Sequence, residues 1–249
     1  MRFFIILSIA VFGIQSFAAK QRPSAESFTA KKRMFSYTLE DKKQVVEGLK
    51  LPLKNRLKIY SKKPKTSFYV LKAIAFDEEQ SVKMRWRALT SMAAVGKNHA
   101  NNSIVKASKS KHWYMRNASL LAAQLVESSF AAMIAADLIR DPSLIVRTEA
   151  VRTIKNANAK QYKNVLKQQL HSEQNFKNKK SLWVRKHIAE ALYKFMDTSD
   201  KQLFKEMLYD VDPEIQRFGV LGMERYYQRR ITDSKKLAQH VQEWKVQAE

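Results

Sequence analysis

Cysteine is absent from all 249 residues, which excludes disulfides, thiolate nucleophiles and Cys-ligated metals. Five glycines and five prolines are too few for the tight turns of an all-β sandwich or for a glycine-rich phosphate loop. Acid is scarce too: 23 Asp+Glu stand against 46 Lys+Arg, a formal charge of +23, so an acidic partner is expected and an acid-rich tail or chaperone is excluded. There is no Gly-x-Ser-x-Gly elbow, no P-loop and no Gly-x-Gly-x-x-Gly fingerprint. His99, His112, His171, His187 and His240 form neither His-Glu-x-x-His nor any i,i+4 pair, so no metal site is expected. Asp77-Glu78-Glu79 falls at an expected inter-helix turn, where acid caps a helix N-terminus more readily than it performs acid–base work. No catalytic residue and no cofactor is predicted, and the chain is read as a non-enzyme.

With 45% apolar and 10% aromatic residues against 28% charged ones, the chain can bury a core, and helices are the default elements. The first residues form a pattern of their own. Met1-Arg2 is followed by a nearly continuous apolar run over residues 3–14, then Gln15-Ser16-Phe17-Ala18-Ala19-Lys20. A run of about twelve residues falls short of the roughly twenty that cross a bilayer, so it reads as a cleavable signal peptide rather than a stable membrane span. Small residues at Ser16 and Ala18 suit cleavage between Ala18 and Ala19. The alternative is a buried N-terminal helix. Removing residues 1–18 takes away one Arg and no acid and leaves +22. The expected organisation is a signal peptide over 1–18, a basic flexible leader over 19–37 and a single domain over 38–249, in a periplasmic or secreted monomer.

Self-comparison exposes a repeat. An apolar residue precedes an Arg, and small or apolar residues follow it at +3, +4 and +7. The copies are Met84-Arg85 with Ala88, Leu89 and Met92; Met115-Arg116 with Ser119, Leu120 and Ala123; Val146-Arg147 with Ala150, Val151 and Ile154; Val184-Arg185 with Ile188, Ala189 and Leu192; and Gln216-Arg217 with Val220 and Leu221. The Arg spacings are 31, 31, 38 and 32, the long one containing a polar loop over residues 171–180. These offsets share one face of a 3.6-residue helix. An apolar-periodic partner precedes each copy, at residues 66–76, 99–107, 129–139, 160–170 and 201–209, and a closing segment lies at 234–244. Residues 39–60 are helical by pattern, with Pro52 splitting or kinking them, and cap the first repeat. Helix pairs recurring at this period bury their apolar faces only by stacking, which predicts an all-α, right-handed α-solenoid of about five pairs with N-terminal capping helices.

The third copy, Asp141-Pro142-Ser143-Leu144-Ile145-Val146-Arg147, resembles a HEAT repeat, and the resemblance covers residues 66–230 at the level of architecture. It implies that Asp-Pro opens the second helix of a repeat, and that Asp and Arg form a ladder between neighbouring repeats. Asp141 stands six before Arg147. The equivalent places are Glu79, Ser110 and Lys179, with Asp212-Pro213 five before Arg217, so an incomplete ladder is expected.

The phase-matched Arg residues are assigned to that structural role. Positions +1, +5 and +8 after each Arg turn away from the core, onto the row that lines the concave face of a solenoid. Trp86, Arg152, Lys155, Lys186, Tyr193 and Arg225 are the candidate binding residues there, with Trp183 and His187 nearby. Trp113 and Tyr114 fit the core equally well. Basic and aromatic groups on this row suit a protein or peptide segment or an anionic envelope polymer, against the plainer reading of a solvated face. The alternative function is nucleic-acid binding by a basic solenoid. HEAT-like DNA glycosylases are similar in size and charge, but they use a carboxylate beside groove aromatics. One turn from Trp86, Trp113 and Trp183 stand Thr90, Asn117 and His187 instead.

Overall fold

A computed structural model describes residues 37–229 and 237–248. The signal peptide and nearly all of the basic leader lie outside the described residues, as do residues 234–236 of the expected closing segment. The described chain is all-α apart from one two-residue hairpin. Its elements are α1 (Leu39–Lys50), α2 (Leu53–Tyr60), α3 (Pro64–Phe76), α4 (Val82–Gly96), α5 (Asn101–Ser108), α6 (Trp113–Gln124), α7 (Ser128–Leu138), α8 (Leu144–Asn156), α9 (Lys163–Leu170), β1 (Phe176–Lys177), β2 (Lys180–Ser181), α10 (Val184–Lys194), α11 (Lys201–Met207), α12 (Pro213–Tyr226) and α13 (Leu237–Ala248).

Five helix pairs, α3/α4 through α11/α12, make the solenoid. In each second helix the buried stripe is the repeated one. Ala88, Leu89 and Met92 in α4, Val146, Ala150, Val151 and Ile154 in α8, and Val184, Ile188, Ala189 and Leu192 in α10 are all buried. The first helices supply the facing layer, through Val70, Leu71, Ile74 and Ala75 in α3 and Phe204 and Met207 in α11. Neither layer could hide its apolar stripe alone, so the core runs unbroken from pair to pair. Second helices pack on one another in an uninterrupted series, whereas the first helices meet one another far less. The second helices therefore form the inner, concave side.

The ends are closed by helices outside the repeat. Pro52 ends the expected long helix at its N-cap position before α2, as a ring without an N–H donor does. Tyr60 of α2 is fully buried and donates its hydroxyl to the Val45 carbonyl of α1 at 3.0 Å. At the other end Trp244 of α13 is buried and stacks on Tyr227, ring centroids 5.5 Å apart. Residues 171–180 are more ordered than a polar loop: a 3-10 turn over Glu173–Asn175 leads into the hairpin, whose turn residues Asn178 and Lys179 both take positive φ, 51° and 63°. That pair of left-handed residues is the geometry a two-residue hairpin loop requires. The Asp77–Glu79 turn also differs from expectation. Ser81 caps α4 by accepting from Met84 N, while Asp77 accepts from Glu79 N within its own turn.

Candidate binding face and inter-repeat ladder

The ladder is complete, although only two of its rungs are Asp–Arg pairs. Arg116 reaches forward to Asp141 of the next repeat, Nε to Oδ2 at 2.5 Å and Nη2 to Oδ1 at 2.8 Å. Its Nη1 donates to the Ser110 and Lys111 carbonyls of its own turn. The Asp141 bond holds the guanidinium above its ordinary pKa. Arg185 repeats the arrangement with Asp210, at 3.1 and 2.5 Å, and adds bonds to the Leu170 carbonyl and the Ser181 hydroxyl. Arg147 points into the inserted segment and finds Asn175 Oδ1 at 2.9 Å and the Gln174 carbonyl at 2.8 Å in place of an acid. Arg85 uses the Tyr114 hydroxyl at 2.8 Å. Lys179, the counterpart by spacing, is instead exposed at the hairpin tip.

The fifth copy is one residue out of the expected register. Ile215 is buried, as Val146 is, and Gln216 donates to the Asp210 carbonyl at 2.7 Å, as Arg147 donates to that of Asp141. Arg217 is exposed. Gln216 is thus the ladder residue, Asp210 rather than Asp212 is its acid, and the last spacing becomes 31 like the first two. The two Asp-Pro dipeptides accordingly do different things. Asp212 is the N-cap of α12, accepting from Glu214 N at 2.9 Å, with Pro213 in the first turn. Asp141 is a ladder acid, and Pro142 lies before the Ser143 cap, lending its carbonyl to Arg147.

The predicted binding residues lie on the second helices as expected, but not as one site. Lys155 of α8 bridges forward to Glu190 of α10 at 2.8 Å, and Lys186 of α10 to Glu214 of α12 at 2.8 Å. Each bond lowers the pKa of its carboxyl. Gln124 of α6 similarly bonds Glu149 and Thr153 of α8. Tyr193 and Arg225 form a separate cluster: Arg225 lies over the Tyr193 ring, 5.5 Å from its centroid, and donates to the Tyr193 carbonyl at 3.0 Å. Arg152 is exposed, 3.9 Å from Glu149. Trp86 is half-buried against the core, away from the others. Within the same offsets Thr90, Thr148 and Gly222 are buried and present nothing to a ligand. The shifted register replaces Phe218, Gly222 and Arg225 as the fifth set by Arg217, Leu221 and Glu224.

A further ionic cluster ties the first helices of the last two repeats. Buried Asp200, just before α11, accepts from Lys163 at 3.0 Å and pairs with Lys167 at 2.6 Å, both of α9. Burial pushes its carboxyl up, but the Lys167, Asp197-backbone and Lys163 bonds outweigh this and hold it below its ordinary pKa. Among the described residues no three His, Cys, Asp or Glu gather as a metal ion would need, and no helix is long and apolar enough to cross a membrane.

The sequence reading set Trp183 beside the concave row and left Trp113 open to the core; both are exposed and belong to another row. Val82, Trp113, Ile145 and Trp183 stand two or three positions before the ladder Arg, at the start of α4, α6, α8 and α10, and all are exposed. Apolar residues that begin one turn ahead of the buried stripe are the signal that could have found them.

No protein-family model and no curated protein matches the chain. Two solved structures are similar to it at low identity. One is an engineered protein, 15% identical, covering 77% of this chain and 98% of its own, with a TM-score of 0.47. The other is the complex of CpcE and CpcF of phycocyanin lyase from a Nostoc species, 14% identical, covering 91% of this chain and 100% of its own, with a TM-score of 0.40.

Proposed function

We propose that the chain is an exported, non-catalytic, HEAT-like scaffold that holds a protein segment along the concave face of its second helices, in the periplasm or outside the cell. The observation that carries this reading is the paired character of that face. Lys155 and Lys186 already have acid partners one repeat ahead, so the row offers fixed donors and acceptors side by side rather than a run of free cations. Such a track suits the alternating N–H and C=O groups of an extended peptide, whereas an anionic polymer would have to break each pair to use it. The aromatic surfaces of Trp86 and Tyr193 add anchors of the type that dominates protein interfaces. Export rests on the residue 1–18 pattern.

Three measurements test the proposal. The intact mass of the protein from its native cells should correspond to a chain starting at Ala19; an unprocessed chain would overturn export. Partners captured from an envelope extract should be lost on joint substitution of Trp86, Arg152, Lys186 and Tyr193 by Ala. Unchanged capture would overturn the concave-face assignment. Salt-dependent binding to duplex DNA that the same substitutions abolish would favour nucleic acid as the occupant.

A further inference from the structure

The turns that join the two helices of each repeat lie along one edge of the solenoid, because the repeat brings equivalent positions into line. On that edge Trp113, Ile145 and Trp183 are 46%, 48% and 55% exposed. Val82 and Val211 continue the row at either end. Successive pairs stack about 10 Å apart, so the two Trp are separated by roughly 20 Å with Ile145 between them. The row is therefore a line of separate apolar tips, one to a turn, rather than the contiguous patch that marks a protein interface.

Lysines occupy two of these three central turns, those that carry the tryptophans. Lys109 and Lys111 precede Trp113, and Lys177, Lys179 and Lys180 form the hairpin that precedes Trp183. Lys109 and the three hairpin lysines have no acid partner among the described residues. Lys111 lies 3.6 Å from Glu78, with both side chains largely in water. On the concave row Lys155 and Lys186 are paired with acids of the next repeat, whereas four of these five edge lysines have no acid partner among the described residues. Lys179 also holds a positive φ of 63°, where glycine would fit without steric cost. The hairpin thus presents a charge at its tip at some expense to the backbone.

We propose that this edge is a docking surface for an anionic lipid bilayer, with Trp113, Ile145 and Trp183 entering the headgroup boundary and the flanking lysines meeting lipid phosphates. Amphipathic aromatics beside lysine stems are the side chains that stay stably at that boundary. A nucleic acid would use the cations and stack on the Trp rings, but it would leave Ile145, Val82 and Val211 in water. The surface lies at the N-terminal ends of the second helices, beside the concave row, and its assignment does not depend on what that row holds.

The test is co-sedimentation of the full chain with vesicles of phosphatidylcholine alone and of phosphatidylcholine mixed with phosphatidylglycerol, every variant being compared with the parent so that any contribution of residues 1–36 cancels. The parent should bind the mixed vesicles and not the neutral ones. Trp113→Ala and Trp183→Ala should each weaken partitioning by about tenfold. The triple change Lys177→Gln, Lys179→Gln and Lys180→Gln should weaken it by about a hundredfold. Lys179→Gly should lose its share of binding while keeping or raising the urea midpoint, which separates a lipid contact from a fold contact. Brominated acyl chains should quench the parent's tryptophan emission more than that of the Trp113→Phe/Trp183→Phe double variant. Equal binding by the parent and the two Trp→Ala variants would overturn the proposal, as would no binding to anionic vesicles at low salt. Lysine-dependent binding to DNA by a chain indifferent to vesicles would replace it with nucleic acid.

Discussion

Arg185 is 1% exposed and joins the fourth repeat to the fifth. Replacing it with Met keeps the length of the side chain and removes its charge and donors. The Asp210 carboxylate then loses both its Arg bonds, the 3.1 and 2.5 Å contacts, and the Leu170 carbonyl loses a 2.8 Å bond. Breaking one side of a buried pair costs about 3–5 kcal/mol, more than the pair contributes relative to an apolar replacement, because the stranded partner remains desolvated. At about 2–4 °C per kcal/mol for a domain of this size, Arg185→Met should lower the Tm by roughly 6–20 °C. The loss is local to one interface, so α11 to α13 should unfold ahead of the rest. In a urea titration, tryptophan fluorescence, which includes buried Trp244 of α13, and far-UV circular dichroism should cease to coincide. Arg217→Met is the matched control: Arg217 is exposed on α12 and should change stability by no more than about 0.5 kcal/mol. Arg185→Met with Asp210→Leu should recover much of the loss, since no charge is then stranded. A cost below about 1 kcal/mol for Arg185→Met, or an equal cost for Arg217→Met, would refute both the ladder and its register.

Three other outcomes follow from the same geometry. Gly219→Ala should destabilise by about 1–3 kcal/mol despite the better helix propensity of Ala, because a Cβ there would stand 2.8 Å from Leu208 N and 3.0 Å from Met207 C, backbone atoms with little freedom to move; chemical denaturation measures it. Asp41 is held down to about 2 by hydrogen bonds from Lys63 and Thr38. A lowered carboxyl stabilises fully above its unfolded value of 3.8 and loses that contribution as pH falls towards 2, so acid titration by circular dichroism should show α1 loosening in this window, and Asp41→Asn should flatten that step. For Lys155 and Glu190, whose side chains are 20% and 43% exposed, a double-mutant cycle should give a coupling below about 1 kcal/mol.

Much of the fold was legible because solenoid packing forces the same buried offsets into every second helix, and a template of four positions is long enough to be seen against background. The partner helices were found within a few residues, their ends blurring where 3-10 turns at Lys97–Ala100 and Lys160–Tyr162 precede α5 and α9. The register slip in α12 has a specific origin. The template was keyed on Arg, and an Arg stands next to the true position, which Gln216 fills; the burial of Ile215, Gly219 and Met223 decides the phase. The ladder looked broken because its rungs were sought as carboxylates, whereas Asn175, the Gln174 carbonyl and the Tyr114 hydroxyl accept just as well. Those partners are brought to the Arg residues by stacking, which a one-dimensional pattern does not encode. The candidate face suffered for the same reason. Lys155 and Lys186 are free cations in the sequence and paired ones in the fold, because Glu190 and Glu214 come to them from the following repeat.

A basic solenoid has to place its excess charge somewhere, and its architecture offers two kinds of surface. Along the stacked second helices Lys155 and Lys186 lie within reach of the next repeat, where Glu190 and Glu214 neutralise them and tie the stack with the same bond. In the turns between paired helices no such neighbour is guaranteed. The central ones carry Lys109, Lys177, Lys179 and Lys180 without acid partners, beside tryptophans that the core has no need to bury. The face that pairs its charges is suited to a ligand carrying both donors and acceptors, and the edge that leaves them free is suited to a surface carrying phosphate alone. Repetition thus sorts one uniformly basic composition into two chemically different surfaces, which substitutions at Lys186 and at Lys179 should affect independently.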